Sequence, residues 1–146
     1  MPKIKKAIII GATSDIGRAL IQRWLKRNWK IYGTYRIENQ AVKGLKKIGA
    51  HLIYCDIANP LSIDSASKKL KKVCPSWDVL VMCPATLQPI ELFNKVIFKD
   101  WDNSVRLNFT NQMAIIHNLL SSRRKNSKLG PCVLFFSGGG INDAPT

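Results

Sequence analysis

The stretch Ala7-Ile8-Ile9-Ile10-Gly11-Ala12-Thr13-Ser14-Asp15-Ile16-Gly17 decides the fold. Its apolar run suits a strand buried on both faces, its glycine-bearing middle suits a tight turn, and Ile16 onward opens an amphipathic helix. A buried parallel strand, a turn that lets the main chain approach a ligand and a helix N-terminus with unpaired N–H groups together make a cradle for a pyrophosphate. The same strand-turn-helix also serves plain packing where no ligand binds. Asp15 is placed to cap the helix, because a carboxylate oxygen there accepts orphan N–H groups and complements the dipole.

Working outward, apolar runs and amphipathic stretches alternate. Strands are expected near residues 6–10, 30–35, 51–55, 79–83 and 131–136, and helices near 16–27, 39–48, 60–73 and 100–124. That order implies right-handed crossovers and an α/β fold, a doubly wound parallel sheet with helices on both faces. Ile63, Ala66, Leu70 and Val73 mark one helix face turned to the sheet, and Val105, Phe109, Ile116 and Leu120 mark another. At 146 residues and 46% hydrophobic content, residues 1–146 suit one domain with a real core.

The two glycines of the first turn do not form G-x-G-x-x-G. Ile10 to Gly17 resembles instead the Thr-Gly-x-x-x-Gly-x-Gly segment of the short-chain dehydrogenases/reductases, with Ile10 in place of the Thr and Asp15 in place of the middle Gly. The resemblance implies a Rossmann-like sheet, five strands here in the order 3-2-1-4-5, with cofactor contacts at Gly11, Thr13, Ser14, Asp15, Ile16 and Gly17. Arg36 ends the second strand, where an acidic residue would hold a ribose 2'-hydroxyl and a basic one favours a 2'-phosphate, so NADP(H) is expected over NAD(H). Arg18 can add to that phosphate site, and Glu38 lies close in sequence.

Further along, Asp56-Ile57 match the family's Asp-hydrophobic pair against the adenine ring, and Asp56 also suits a cap of the following turn. Met82-Cys83-Pro84-Ala85 stand where the family carries Asn-Asn-Ala-Gly, which leaves cofactor contacts there to the main chain of Pro84 and Ala85. Trp101 to Asn108 resembles the family's aromatic followed by an Asn that interrupts a helix and holds a water in a proton relay. Ser137, delivered by the run from Gly130, falls on the catalytic Ser that hydrogen-bonds the reacting oxygen.

The family's Tyr-x-x-x-Lys does not occur: the residues four beyond Tyr32, Tyr35 and Tyr54 are Arg36, Asn39 and Ala58. In relatives the pair follows the serine strand, so the sequence reads as the front part of a longer protein, its sheet incomplete at the C-terminal edge. Residues 131–136 then make an apolar edge strand, which is expected to recruit another chain, as a homo-oligomer or by association through this strand. The implied activity is hydride transfer between a nicotinamide cofactor and a small carbonyl or alcohol substrate. The alternatives are a dinucleotide-binding module without catalysis and, less favoured, a basic nucleic-acid-binding protein.

Lys and Arg number 23 against 9 Asp and Glu, a formal charge of +14. The basic clusters around Arg23–Lys30, Lys68–Lys72 and Arg123–Lys128 read as solvated outer faces of helices, and nucleic acid is disfavoured because no recognition motif or aromatic stacking set accompanies them. Cys55, Cys74, Cys83 and Cys132 lack metal-ligand spacing and read as small apolar core residues, while His51 and His117 have no evident partner, so no metal is expected. Free thiols, and apolar runs too short for a signal or a membrane span, lead to the expectation of a cytoplasmic protein.

Overall fold

Five parallel strands, β1 (Lys6–Ile10), β2 (Lys30–Tyr35), β3 (His51–Tyr54), β4 (Val79–Met82) and β5 (Cys132–Phe135), form one sheet in the order β3-β2-β1-β4-β5. The structure is a computed structural model and describes residues 3–125 and 130–136. Ile8 of β1 pairs in register with Tyr32 on one side and with Leu80 on the other, so the first apolar run lies at the sheet centre. The helices are α1 (Asp15–Leu25), α2 (Gln40–Lys47), α3 (Pro60–Val73), α4 (Phe98–Val105) and α5 (Asn111–Leu119).

Strand alternation divides the core between the two faces. Ala7, Ile9, Val79 and Val81 pack with Ile21 of α1 and with Val42 and Leu45 of α2. Ile8, Ile10, Leu80 and Met82 pack with Ile63, Ala66 and Leu70 of α3 and with Ile115 and Leu119 of α5. Each buried Ile, Leu, Val or Met side chain among these contributes on the order of 1.5–3 kcal/mol. The helix starts are fixed by side-chain caps. Ser14 accepts from the Gly17 N–H, Asn39 from that of Val42, and Asn59 from those of Leu61 and Ser62, with Pro60 at the first helical position. The cap of α1 is therefore Ser14, and Asp15 is instead the first helical residue, its exposed carboxylate paired with Arg18.

The stretch expected as one helix over 100–124 begins earlier, at Phe98, and widens into a π turn over Arg106–Thr110 before α5 resumes. An extra residue in a helix advances the following face by about 100°. The face that reaches the sheet from α5 is consequently Gln112, Ile115 and Leu119, while Val105, Phe109 and Leu120 of the expected face are exposed and Ile116 is half-buried. Cysteine placement also departs from expectation. Cys55 and Cys74 are buried, but Cys132 is exposed because β5 pairs only with β4 among the described residues.

At the strands' N-terminal end, one buried ion pair ties three segments together. The Asp78 carboxylate accepts from the Lys6 N–H at 2.7 Å and lies 2.7 Å from Arg124 Nε. Arg124 also donates to the Ile4 carbonyl at 2.9 Å, and the Trp77 indole N–H donates to the Leu119 carbonyl at 2.9 Å. The entries of β1 and β4 are thus fastened to the end of α5. Replacing Arg124 by Ala strands a largely buried carboxylate and is expected to cost about 3–5 kcal/mol in urea unfolding. A loss under about 1 kcal/mol would show that water takes over the role of the guanidinium.

Candidate functional site

The carboxyl ends of β1, β2, β3 and β4 border a trough at the point where the chain order reverses between β1 and β4, the place where open α/β sheets bind ligands. One half is a cleft of about 180 Å³ lined by Gly11, Thr13, Arg36, Ile57, Pro84 and Ala85 among others. The second half, about 450 Å³, shares Pro84 and Ala85 and adds Ile16, Asn108, Gln112 and Phe136.

The floor between the halves is the first turn. Gly11 sits at φ +75°, its N–H donating to Thr34 Oγ1 at 3.1 Å, and the Ala12 N–H donates to the Thr34 carbonyl at 2.8 Å. A Cβ on Gly11 would lie 3.3 Å from the Pro84 ring, and one on Gly17 would lie 2.8 Å from the carbonyl oxygens of Gly11 and Ala12. Glycine at both places lets α1 start directly against the strand. Among the described residues the N–H groups of Thr13, Asp15 and Ile16 have no hydrogen-bond acceptor, so they remain at the helix N-terminus for an anion. The chemistry of this donor set fits a pyrophosphate.

The charges around the first cleft are asymmetric. Arg36 lines it and is exposed. Glu38 turns to Lys46, whose Nζ is 3.2 Å away, and to the Tyr35 hydroxyl, which holds its carboxyl below the usual range. The same bond pushes the Tyr35 hydroxyl up. Burial pushes the Cys55 thiol up to about 11, which keeps it neutral at pH 7. Arg18, engaged by Asp15, does not line either cleft. Asp56 does not line the first cleft either: its carboxylate accepts from the Ala58 N–H at 3.0 Å, a turn bond, and Ile57 supplies the wall.

The π turn carries Asn108 to the loop after β4. Its side chain accepts from the Thr86 N–H at 2.8 Å and donates to the Thr86 carbonyl at 2.9 Å and to Ser104 Oγ at 3.2 Å. Ser14 Oγ, in contrast, is spent on the Gly17 N–H at 3.0 Å. Ser137 lies outside the described residues, one position past Phe136.

The sequence model of the short chain dehydrogenase family matches residues 5–145. The chain belongs to this family. Short-chain dehydrogenases are oxidoreductases. A serine 3-dehydrogenase of Agrobacterium fabrum is 30% identical over 115 residues, an alignment covering 77% of this chain and 46% of that enzyme, so the chain spans about half the length of this relative. A short-chain dehydrogenase/reductase of Burkholderia multivorans, solved with bound NADP, superposes with a TM-score of 0.80 at 19% identity, covering 98% of this chain and 64% of the other. An NADH-dependent reductase solved with NAD gives a TM-score of 0.69 at 16% identity, covering 80% and 50% of the two chains.

Within the short-chain dehydrogenase pattern, Met82-Cys83-Pro84-Ala85 is the largest departure described, and the structure shows a residue the sequence did not single out. Gln112 is buried, and its Nε2 donates to the Pro84 carbonyl at 2.8 Å and to the Leu107 carbonyl at 3.2 Å. It thereby fastens the trough wall to the π turn from 28 residues away in the chain. Asn111 acts similarly, donating to the Ile57 carbonyl at 2.8 Å. Gln112→Leu removes both donors and leaves two carbonyls short of partners. Urea unfolding is expected to show a loss of about 1–3 kcal/mol, and an unchanged midpoint would mean the carbonyls are served by water.

Proposed function

We propose that this chain is the cofactor-binding part of a short-chain oxidoreductase that prefers NADP(H) to NAD(H) and moves hydride to or from a small carbonyl or alcohol. The observation that carries the preference is the charge beside the first cleft: Arg36 lines it with no carboxylate paired to it among the described residues, while Glu38 is held by Lys46 and Tyr35. Gly11 to Gly17 would hold the pyrophosphate through the N–H groups of the turn, Ile57 with Asp56 the adenine end, and Pro84 and Ala85 the trough wall. When bound, the nicotinamide supplies or accepts the hydride.

Ser137 is proposed to hydrogen-bond the reacting oxygen. Asn108 is proposed to hold a water in a proton relay, and since its side chain is occupied by Thr86 and Ser104, that task falls to its main chain. Residues 1–146 are taken as one NAD(P)-binding domain, with the edge of β5 that is unpaired among the described residues as an association surface. Among the described residues no helix is long and apolar enough to cross a membrane, and the four free cysteines support a reducing, cytoplasmic setting. A second reading, a dinucleotide-binding module without catalysis, rests on the cradle of the first turn alone.

Titration of the 146-residue chain with both cofactors discriminates. A charge-assisted bond to the 2'-phosphate is worth roughly 1.5–3 kcal/mol, so NADPH is expected to bind about tenfold or more tightly than NADH, and Arg36→Ala to abolish the difference. Equal affinities in the unaltered chain would overturn the preference. Carbonyl reduction by this chain alone is expected to stay at background, because general acid catalysis supplies about two to four orders of magnitude and the family's donor Tyr is absent. Turnover abolished by Ser137→Ala would show that another residue gives the proton.

A further inference from the structure

In a doubly wound sheet the helices run opposite to the strands, so their last turns gather at the strands' N-terminal end, away from the trough. That end is where this chain concentrates its positive charge. Arg23, Lys26 and Arg27 close α1 and are exposed, and Lys30 opens β2 in register with Lys6 of β1. Arg123 follows α5 and bridges to Trp77 just before β4. Of the described carboxylates, Asp78 belongs to this end, and Arg124 neutralises it. Asp15, Glu38 and Asp56 stand instead where strands end.

A helix C-terminus carries about half a negative charge, so three cations on α1 alone exceed what the dipole calls for. The segment is also held rigid. Trp24 and Trp29 stack at 4.9 Å with rings 17° apart, Lys5 Nζ stands 5.2 Å above the Trp29 ring, and the intervening turn passes through Asn28 at φ 59°. Both rings also pack against the core on that face of the sheet, so they anchor the turn that carries Lys26, Arg27 and Lys30 and offer no platform for bases.

We propose that this end of the molecule docks the phosphodiester backbone of nucleic acid, through Lys26, Arg27, Lys30, Lys5 and Arg123. The stripe crosses β2, β1 and β4 at about 4.8 Å per strand, a span of about 10 Å. At about 3.4 Å per nucleotide it meets roughly three phosphates of one strand. Its members are lysines and arginines at the ends of elements, with no recognition helix or strand to carry them into a groove, so they meet phosphates rather than base edges. A lipid surface is the poorer match, because membrane docking adds apolar insertion to charge. The exposed large apolar residues beside the stripe are single ones, Ile4 and Ile48, whereas Leu87, Ile90, Leu92 and Phe93 lie in the loop after β4.

The test is fluorescence anisotropy with a labelled 30-nucleotide RNA and a duplex DNA of equal length across a salt series. Binding in the micromolar range at low salt is expected, with a log–log salt slope of about −2 to −3. Lys26→Gln/Arg27→Gln/Lys30→Gln is expected to weaken binding at least tenfold and flatten the slope by about 2, with NADPH affinity unchanged. Lys43→Gln/Lys95→Gln/Lys99→Gln lowers net charge equally at other places and is expected to change binding by less than about threefold. Should the first triple variant not fold by circular dichroism, Arg27→Gln/Lys30→Gln is expected to weaken binding in the same direction with about two-thirds of the slope change. Equal losses in both charge variants would overturn the proposal. So would no oligonucleotide binding at low salt, or binding to phosphatidylserine vesicles without binding to either oligonucleotide.

Discussion

The close approach of α1 to the sheet governs the trough. Gly17 has no room for a Cβ against the Gly11 and Ala12 carbonyls, and Gly33 of β2 has none against the Ile9 carbonyl, where a Cβ would stand 2.6 Å away. With those side chains absent, the helix begins within contact of the strand it follows, and its unpaired N–H groups open onto the groove above β1. The rest accommodates that arrangement. Thr34 braces the turn with both its hydroxyl and its carbonyl, and Pro84 packs over Gly11.

Much of this was legible because buried parallel strands write themselves as apolar runs. Lys6–Ile10 and Lys30–Tyr35 appear with the expected limits, and so does Pro60–Val73, whose start the Asn59 cap and Pro60 fix in the fold. In the candidate site, residues singled out from the sequence come together where main chain and backbone-shaping residues make it: Gly11, Thr13, Arg36, Ile57, Pro84 and Ala85 all line one cleft. What escaped depends on contacts between distant segments. Ser14 and Asp15 both suit a helix cap, and only the turn geometry places the serine oxygen on the Gly17 N–H. Gln112 reads as an ordinary helix polar residue until Pro84 is brought beside it. A π turn leaves no signature in hydrophobic period, so the face of α5 was displaced with it.

The two ends of the sheet divide the molecule's electrostatics. Where strands end, the helix N-termini present N–H groups and carboxylates pair locally, as Asp15 does with Arg18 and Glu38 with Lys46. Where strands begin, cations predominate and the one described carboxylate is buried with its own arginine. A surface so polarised orients an approaching anion before contact, over a range of about 8 Å at physiological salt.

The π turn makes chain length, more than chain composition, the sensitive variable between Trp101 and Leu119. Side chains along α4 are largely exposed and tolerant of exchange. Deleting one residue from Arg106–Thr110 would restore a regular helix and swing everything before it by about 100° relative to α5. Asn108 would lose Thr86 and Gln112 would lose the Leu107 carbonyl, so the loop that walls the second cleft would be held to the helix through the Gln112–Pro84 bond without Asn108. A single-residue gap there is accordingly a larger change than several substitutions.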